Sequence, residues 1–162
     1  MTPNTKFPVV RLQRTIPAPP NEVYRAWLEP ALLQQWMAPG GLAVKRAEVD
    51  ARVGGHLRID HADAGSDVGG FDCEIVELVP DERLVFRWGF VGPDRRGPVY
   101  DSRLTITLAA AQGNATTLTL VHERLDDLAA ALPDVARNVE LGWTLVLEKL
   151  AAVFALESGK GI

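Results

Sequence analysis

Cysteine is almost absent: Cys73 stands alone in 162 residues, so no intrachain disulfide and no cysteine-based zinc cluster can form. That excludes the disulfide-stapled frameworks of small secreted domains and fits a reducing compartment. No stretch approaches the roughly 20 apolar residues of a membrane span, and residues 1–10 lack the continuous apolar core of a secretion signal. A cytoplasmic location without membrane association is expected. An excess of positive charge is missing too: 17 Lys and Arg face 21 Asp and Glu, a net charge of −4. A basic face able to displace counterions from phosphates is therefore not expected, and neither is a nucleic-acid partner. Arg95 and Arg96 lie in the Gly/Pro-rich stretch 92–98 and read as a solvated loop.

Catalytic signatures are equally scarce. The three histidines have no His-Glu-x-x-His spacing and no Asp-rich loop beside them, so no metal is expected. The pairs Gly54-Gly55 and Gly69-Gly70 are not followed by the Lys and Ser or Thr of a phosphate loop, and they read as turn formers. There is no Gly-x-Ser-x-Gly nucleophile elbow. No cofactor is expected.

What is present is an ordinary globular composition, 47% hydrophobic and 23% charged, in a chain of single-domain length without repeats or Gly-Ser linkers. Val10, Leu12, Arg14 and Ile16 alternate with Arg11, Gln13 and Thr15, the period of a half-buried strand. Pro20 and Pro30 then open two short helices, carrying Val23, Ala26 and Trp27 on one and Leu32, Leu33 and Trp36 on the other. Strand patterns follow at 42–49, 56–61, 71–79, 84–90, 102–109 and 116–123, separated by turn-forming residues that include the run 64–70. Beyond Pro133, apolar residues at three- and four-residue spacing predict one long amphipathic helix over 135–156. Helices that do not alternate with strands exclude a doubly wound parallel sheet. The expectation is an α+β fold, a curved antiparallel sheet of six to seven strands wrapped around the C-terminal helix, as one domain with its core at about 10–156.

Residue by residue, Arg14-Thr15-Ile16 with Ala18, Pro19, Glu22-Val23-Tyr24 and Ala26 opens a pattern that continues through Pro30, Leu33, Trp36, Pro39, Asp50 and Gly54-Gly55. Pro80, Glu82-Arg83-Leu84, Trp88, Gly142-Trp143, Leu147 and Leu150 complete it in order. The whole resembles the activator of heat-shock protein 90 ATPase homologue-like family, within the START and birch-pollen-allergen superfamily. The resemblance implies a helix-grip fold whose cavity accepts a hydrophobic ligand in many relatives, and it implies no reaction. The family's eponymous co-chaperone joins such a domain to a second, larger one. With no such partner domain here, a chaperone partner is the weaker expectation.

Strand parity assigns the side chains that face the helix. Phe71, Cys73 and Ile75 point inward on one strand, and Leu84, Phe86, Trp88 and Phe90 on the next. Tyr100, Ser102 and Leu104 follow, then Leu118, Leu120 and His122 on the last strand. Trp36, Phe71, Cys73, Trp88 and Phe90 are candidate cavity lining, joined by Trp143 and Leu147 from the helix, with Tyr100, Ser102 and His122 as polar anchors. His122 is the only candidate acid or base, and a hydrogen-bonded structural role is its bland alternative. His56 is expected to face outward with Arg58 and Asp60, and Leu57 and Ile59 to fill the buried face. Cys73 reads as a small apolar side chain rather than a nucleophile. Gly142, beside Trp143, would allow close approach of backbone or ligand. The expected function is binding of a small hydrophobic molecule without catalysis, with a cyclase- or hydrolase-type enzyme and a protein-interaction module as alternatives, and with a homodimer left open.

Overall fold

The computed structural model describes residues 9–92 and 100–160, with the backbone alone for Asp67, Tyr100 and residues 156–160. The loop expected at 92–98, with Arg95 and Arg96, falls outside the described residues apart from Gly92.

The chain runs β1 (Val10–Ile16), α1 (Pro20–Ala26), α2 (Pro30–Trp36), β2 (Ala43–Val49), β3 (His56–Asp63), β4 (Ser66–Val79), β5 (Arg83–Val91), β6 (Tyr100–Ala111), β7 (Ala115–Glu123), α3 (Asp126–Ala131), α4 (Pro133–Arg137) and α5 (Val139–Lys160). Seven antiparallel strands form one sheet in the order β1-β7-β6-β5-β4-β3-β2. Every neighbour is a hairpin partner except β1, which pairs with β7. The segment α1–α2 therefore carries the chain from one edge of the sheet to the other, with α2 packed on β2 and α5.

Each short helix starts where proline, whose missing N–H costs nothing at that position, occupies the first turn. Trp36 Nε1 donates to the Ala26 carbonyl at 3.2 Å, which fixes the angle between α1 and α2. The buried Thr116 hydroxyl on β7 donates to the Ala18 carbonyl at 2.7 Å and anchors the entry to α1. At the exit of α2, Lys149 Nζ of α5 donates to the Ala38 carbonyl at 2.6 Å. This pins the chain just past the C-cap of α2 to α5.

The inner face of the sheet and one face of α5 make the core. Val139, Trp143, Val146, Leu147, Leu150 and Phe154 are all buried on α5 at helical spacing, each contributing roughly 1.5–3 kcal/mol by burial. The outer face is charged. Arg58 faces Asp72 at 3.6 Å, Arg87 faces Asp101 and Glu74, and Arg103 faces Glu123 at 4.0 Å. These exposed pairs contribute little to stability each, but they keep that surface polar.

Two expectations are corrected. The run 64–70 does not separate strands: only Ala64 and Gly65 form a turn, with φ of 52° and 88°, and β4 begins at Ser66. Gly69 and Gly70 lie inside β4 beside a shift of register. A Cβ on Gly69 would sit 2.4 Å from the Val91 carbonyl oxygen, and one on Gly70 would sit 1.9 Å from that of Ile59. They permit backbones to approach, as glycines inside strands commonly do. The long helix is also divided. Asn138 interrupts it at φ −101° and ψ 7°, so that α4 and α5 stand where one helix is predicted, and α3 precedes them, anchored by the fully buried Leu128.

Gly70→Ala is expected to destabilise the protein by about 2 kcal/mol or more, because the new methyl has backbone on the side it must enter. Urea denaturation monitored by tryptophan fluorescence measures it, and an unchanged midpoint would mean that β3 and β4 separate freely.

Candidate ligand site

Between the inner face of the sheet and α5, a cavity of about 530 Å³ remains unfilled. Its sheet wall is Phe71, Trp88 and Phe90, and its helix wall is Val139, Gly142, Trp143 and Val146. The rings are in mutual contact. Phe71 lies 4.8 Å from Trp88 and 5.6 Å from Phe90, and Trp88 lies 5.3 Å from Trp143, between centroids and at inclined angles. At the mouth stand Val68, Leu132 and Val135, which are 40%, 42% and 41% exposed, so the rim is apolar.

Polar groups are few. Asp134 pairs with Arg137 one helical turn along, and Asn138 Nδ2 donates to the Asp134 carbonyl at 2.8 Å. His61 lines the inner wall, 5% exposed, with its ring edge-on to Phe71. Its Nε2 lies 2.9 Å from the Met37 carbonyl oxygen. A carbonyl only accepts, so Nε2 carries the proton. Met37 and Ala38 are thus held by His61 and Lys149, and Pro39, the next residue, completes the wall.

Behind Trp143 lies a buried polar chain centred on His122, which has no exposure. Trp143 Nε1 is 2.9 Å from His122 Nδ1, His122 Nε2 is 2.7 Å from Ser102 Oγ, and Ser102 Oγ is 2.9 Å from the Trp88 carbonyl. An indole N–H only donates, so Nδ1 must be the bare acceptor and Nε2–H must donate to the serine, whose hydroxyl then donates to the carbonyl. One neutral tautomer satisfies every group. Burial pushes the His122 pKa from its ordinary 6.5 down to about 3, since the charged form would lie in a low-dielectric interior and would set a proton against the indole N–H. With both ring nitrogens engaged, His122 is a structural group in this arrangement rather than an acid or base facing the cavity.

Phe71, Trp88, Phe90 and Trp143 line the cavity. Trp36, Cys73 and Leu147 do not: they are buried in core packing, Trp36 edge-on to Trp27 with centroids 4.8 Å apart. Ser102 and His122 sit behind the wall, and the Tyr100 side chain lies outside the described residues. His61, Asp134 and Asn138 are cavity residues absent from the sequence reading. For His61 a signal existed, since it shares strand parity with Leu57 and Ile59, which are both fully buried. Among the described residues no three His, Cys, Asp or Glu side chains gather as a metal site, and no helix is long and apolar enough to cross a membrane.

An antiparallel sheet gripping one long C-terminal helix, with a cavity between them, defines the helix-grip class. Within that class the chain belongs to the Activator of Hsp90 ATPase homolog 1-like protein family, whose model matches residues 17–155. A solved protein from Chromobacterium violaceum is 37% identical, with 90% of this chain and 95% of that one covered and a TM-score of 0.72. The AHSA1 protein of Silicibacter pomeroyi is 28% identical, with 93% and 99% covered and a TM-score of 0.71. A protein in the dynemicin biosynthetic locus is 29% identical with a TM-score of 0.60, covering 93% of this chain and 48% of that one. No curated protein matches the chain.

The buried neutral histidine makes an acid-stability prediction. Its folded pKa lies below the unfolded value, so the unfolded state binds the extra proton first. The stabilisation is complete above about pH 6.5 and is lost as pH falls toward 3. The slope approaches ~1.4 kcal/mol per pH unit in that window. His122→Phe should be less stable at neutral pH, because Trp143 and Ser102 lose their partner, and should lack this component of the slope. Equal slopes for the two proteins between pH 6 and 4 would refute the assignment.

Proposed function

We propose that the protein binds a small hydrophobic molecule in the cavity between sheet and α5 and releases it chemically unchanged. The observation that carries this reading is the aromatic-walled cavity itself. Its volume of about 530 Å³ falls within the range of roughly 300–1,000 Å³ usual for small-molecule sites, which are mostly apolar with a few polar groups. Catalysis finds less support, because the proton of His61 is directed to a backbone carbonyl and His122 is enclosed in a satisfied chain. The charged outer face, with its paired arginines and carboxylates, lends little support to an interaction module working through an apolar interface. The similarity to a protein in a biosynthetic locus agrees with an organic small molecule as the ligand. The lone, buried Cys73 agrees with a reducing compartment such as the cytoplasm for this activity.

The test uses the neutral fluorescent probe N-phenyl-1-naphthylamine. Saturable quenching of tryptophan fluorescence is expected, since Trp88 and Trp143 form the wall. At about 100 times the dissociation constant, the probe should add roughly 2.7 kcal/mol of stability, visible as a higher melting temperature. The same assay extends to a panel of apolar molecules, each hit recovered and weighed by mass spectrometry. If no member of the panel shifts the melt, the cavity is not a ligand site, and a hit recovered in altered form would replace the carrier reading with an enzymatic one.

A further inference from the structure

Gly70, Gly92 and Gly142 line the cavity, and Gly142 has no explanation in the chain's own packing. Gly69 and Gly70 are demanded by the sheet, since a Cβ on either would enter the oxygen of a neighbouring strand. Gly142 differs. It lies within α5 and donates its N–H to Asn138 O at 2.9 Å in the ordinary helical way. Its φ is not positive, so no left-handed conformation requires glycine. A Cβ built on it meets no atom of the described residues within 4 Å. Glycine is nevertheless among the worst residues for a helix interior. The space that the missing side chain leaves is the cavity, which Gly142 lines between Val139 and Val146.

On the sheet side the cavity is lined by the Gly70 backbone and by Phe71 with its cross-strand partner Phe90. The bare α5 backbone at Gly142 thus shares the cavity with the rings of Phe71, Trp88, Phe90 and Trp143. A flat ring system can lie against bare backbone while its edges and faces meet Trp88, Phe90 and Trp143 in the offset and edge-on geometries that aromatic groups prefer.

We infer that Gly142 is the specificity-determining residue of the cavity, and that the ligand is a planar, neutral aromatic molecule laid against the α5 backbone at that point. This rests on the ligand-binding reading and makes it more specific. The experiment compares wild type with Gly142→Ala and Gly142→Leu, measuring the unliganded melting temperature and the affinities for the planar, neutral, fluorescent probe 2-aminoanthracene and for the flexible n-decanol.

Gly142→Ala should melt roughly 1–4 °C above wild type, because alanine favours the helix and meets open space. It should bind the aromatic probe at least 3-fold more weakly, Gly142→Leu at least 10-fold more weakly, and decanol should lose less than the probe in both. Unchanged probe affinity in both variants, or a lower melting temperature for Gly142→Ala, would overturn the role of Gly142. An equal loss for decanol would overturn the planar class. Wild type binding neither compound nor any other member of the apolar panel would instead remove the ligand-binding reading, and this inference with it.

Discussion

A single buried imidazole ties the helix to the sheet. His122 has no exposure, and its two nitrogens can be satisfied in only one way: Nδ1 accepts from Trp143 on α5, and Nε2–H donates to Ser102 on β6. Ser102 in turn closes on the carbonyl of Trp88 on β5. Each such bond adds only about 1 kcal/mol net, but removing one partner leaves a buried polar group that costs ~1–3 kcal/mol. The asymmetry gives the chain its force as a constraint. It sets the rotation of α5 about its axis and the plane of the Trp143 indole, and with them the shape of the cavity wall.

The space between sheet and helix is filled at one end and open at the other. At the α1–α2 end, Trp27 meets Trp36 at 4.8 Å, Phe86 at 6.2 Å and Trp143 at 6.0 Å, and Met37 closes the gaps with no exposure. In this packing the Trp27 N–H is left buried without a hydrogen-bond partner among the described residues, as is the N–H of Trp88 on the cavity wall, a cost that well-packed aromatic area offsets. At the α4 end, Gly142 and the break at Asn138 withdraw side chains and turn the helix, and the void remains. Core and site are continuous through Trp143, which belongs to both.

Much of this was legible in the sequence because it rests on local periodicity. Alternation placed Leu84, Phe86 and Trp88 inward, and helical spacing placed Trp143, Val146, Leu147 and Leu150 on one face. Parity names a face, however, and not a depth. Phe71 and Cys73 share a face of β4, yet Phe71 borders the void and Cys73 is packed in core, because the void's position depends on where α5 crosses. The glycine pair at 69–70 was misread for a related reason. Glycine serves turns and close strand approaches alike, and the distinction lies in which carbonyl passes opposite, Val91 or Ile59, which is non-local information. His61 was missed for the opposite reason: its parity was correct, and a preference for apolar residues on a buried face outweighed it. The hydrogen bond to Met37 that makes its burial tolerable comes from 24 residues away.

The polar inventory of the cavity bears on what kind of site this is. A general acid needs a transferable proton directed at the ligand and a general base a bare lone pair, each with a pKa near the working pH. His122 meets neither, since its pKa is pushed to about 3, its N–H points at Ser102 and its bare nitrogen accepts from Trp143. His61 spends its Nε2–H on a backbone carbonyl, which orients the ring against Phe71. Asp134 answers Arg137 at the rim. Such groups are arranged to hold walls in place, and the proposed binding role therefore rests on shape and aromatic surface. Under that proposal, what binds is decided by the aromatic rings of the wall and by the bare backbone at Gly142 rather than by titratable groups.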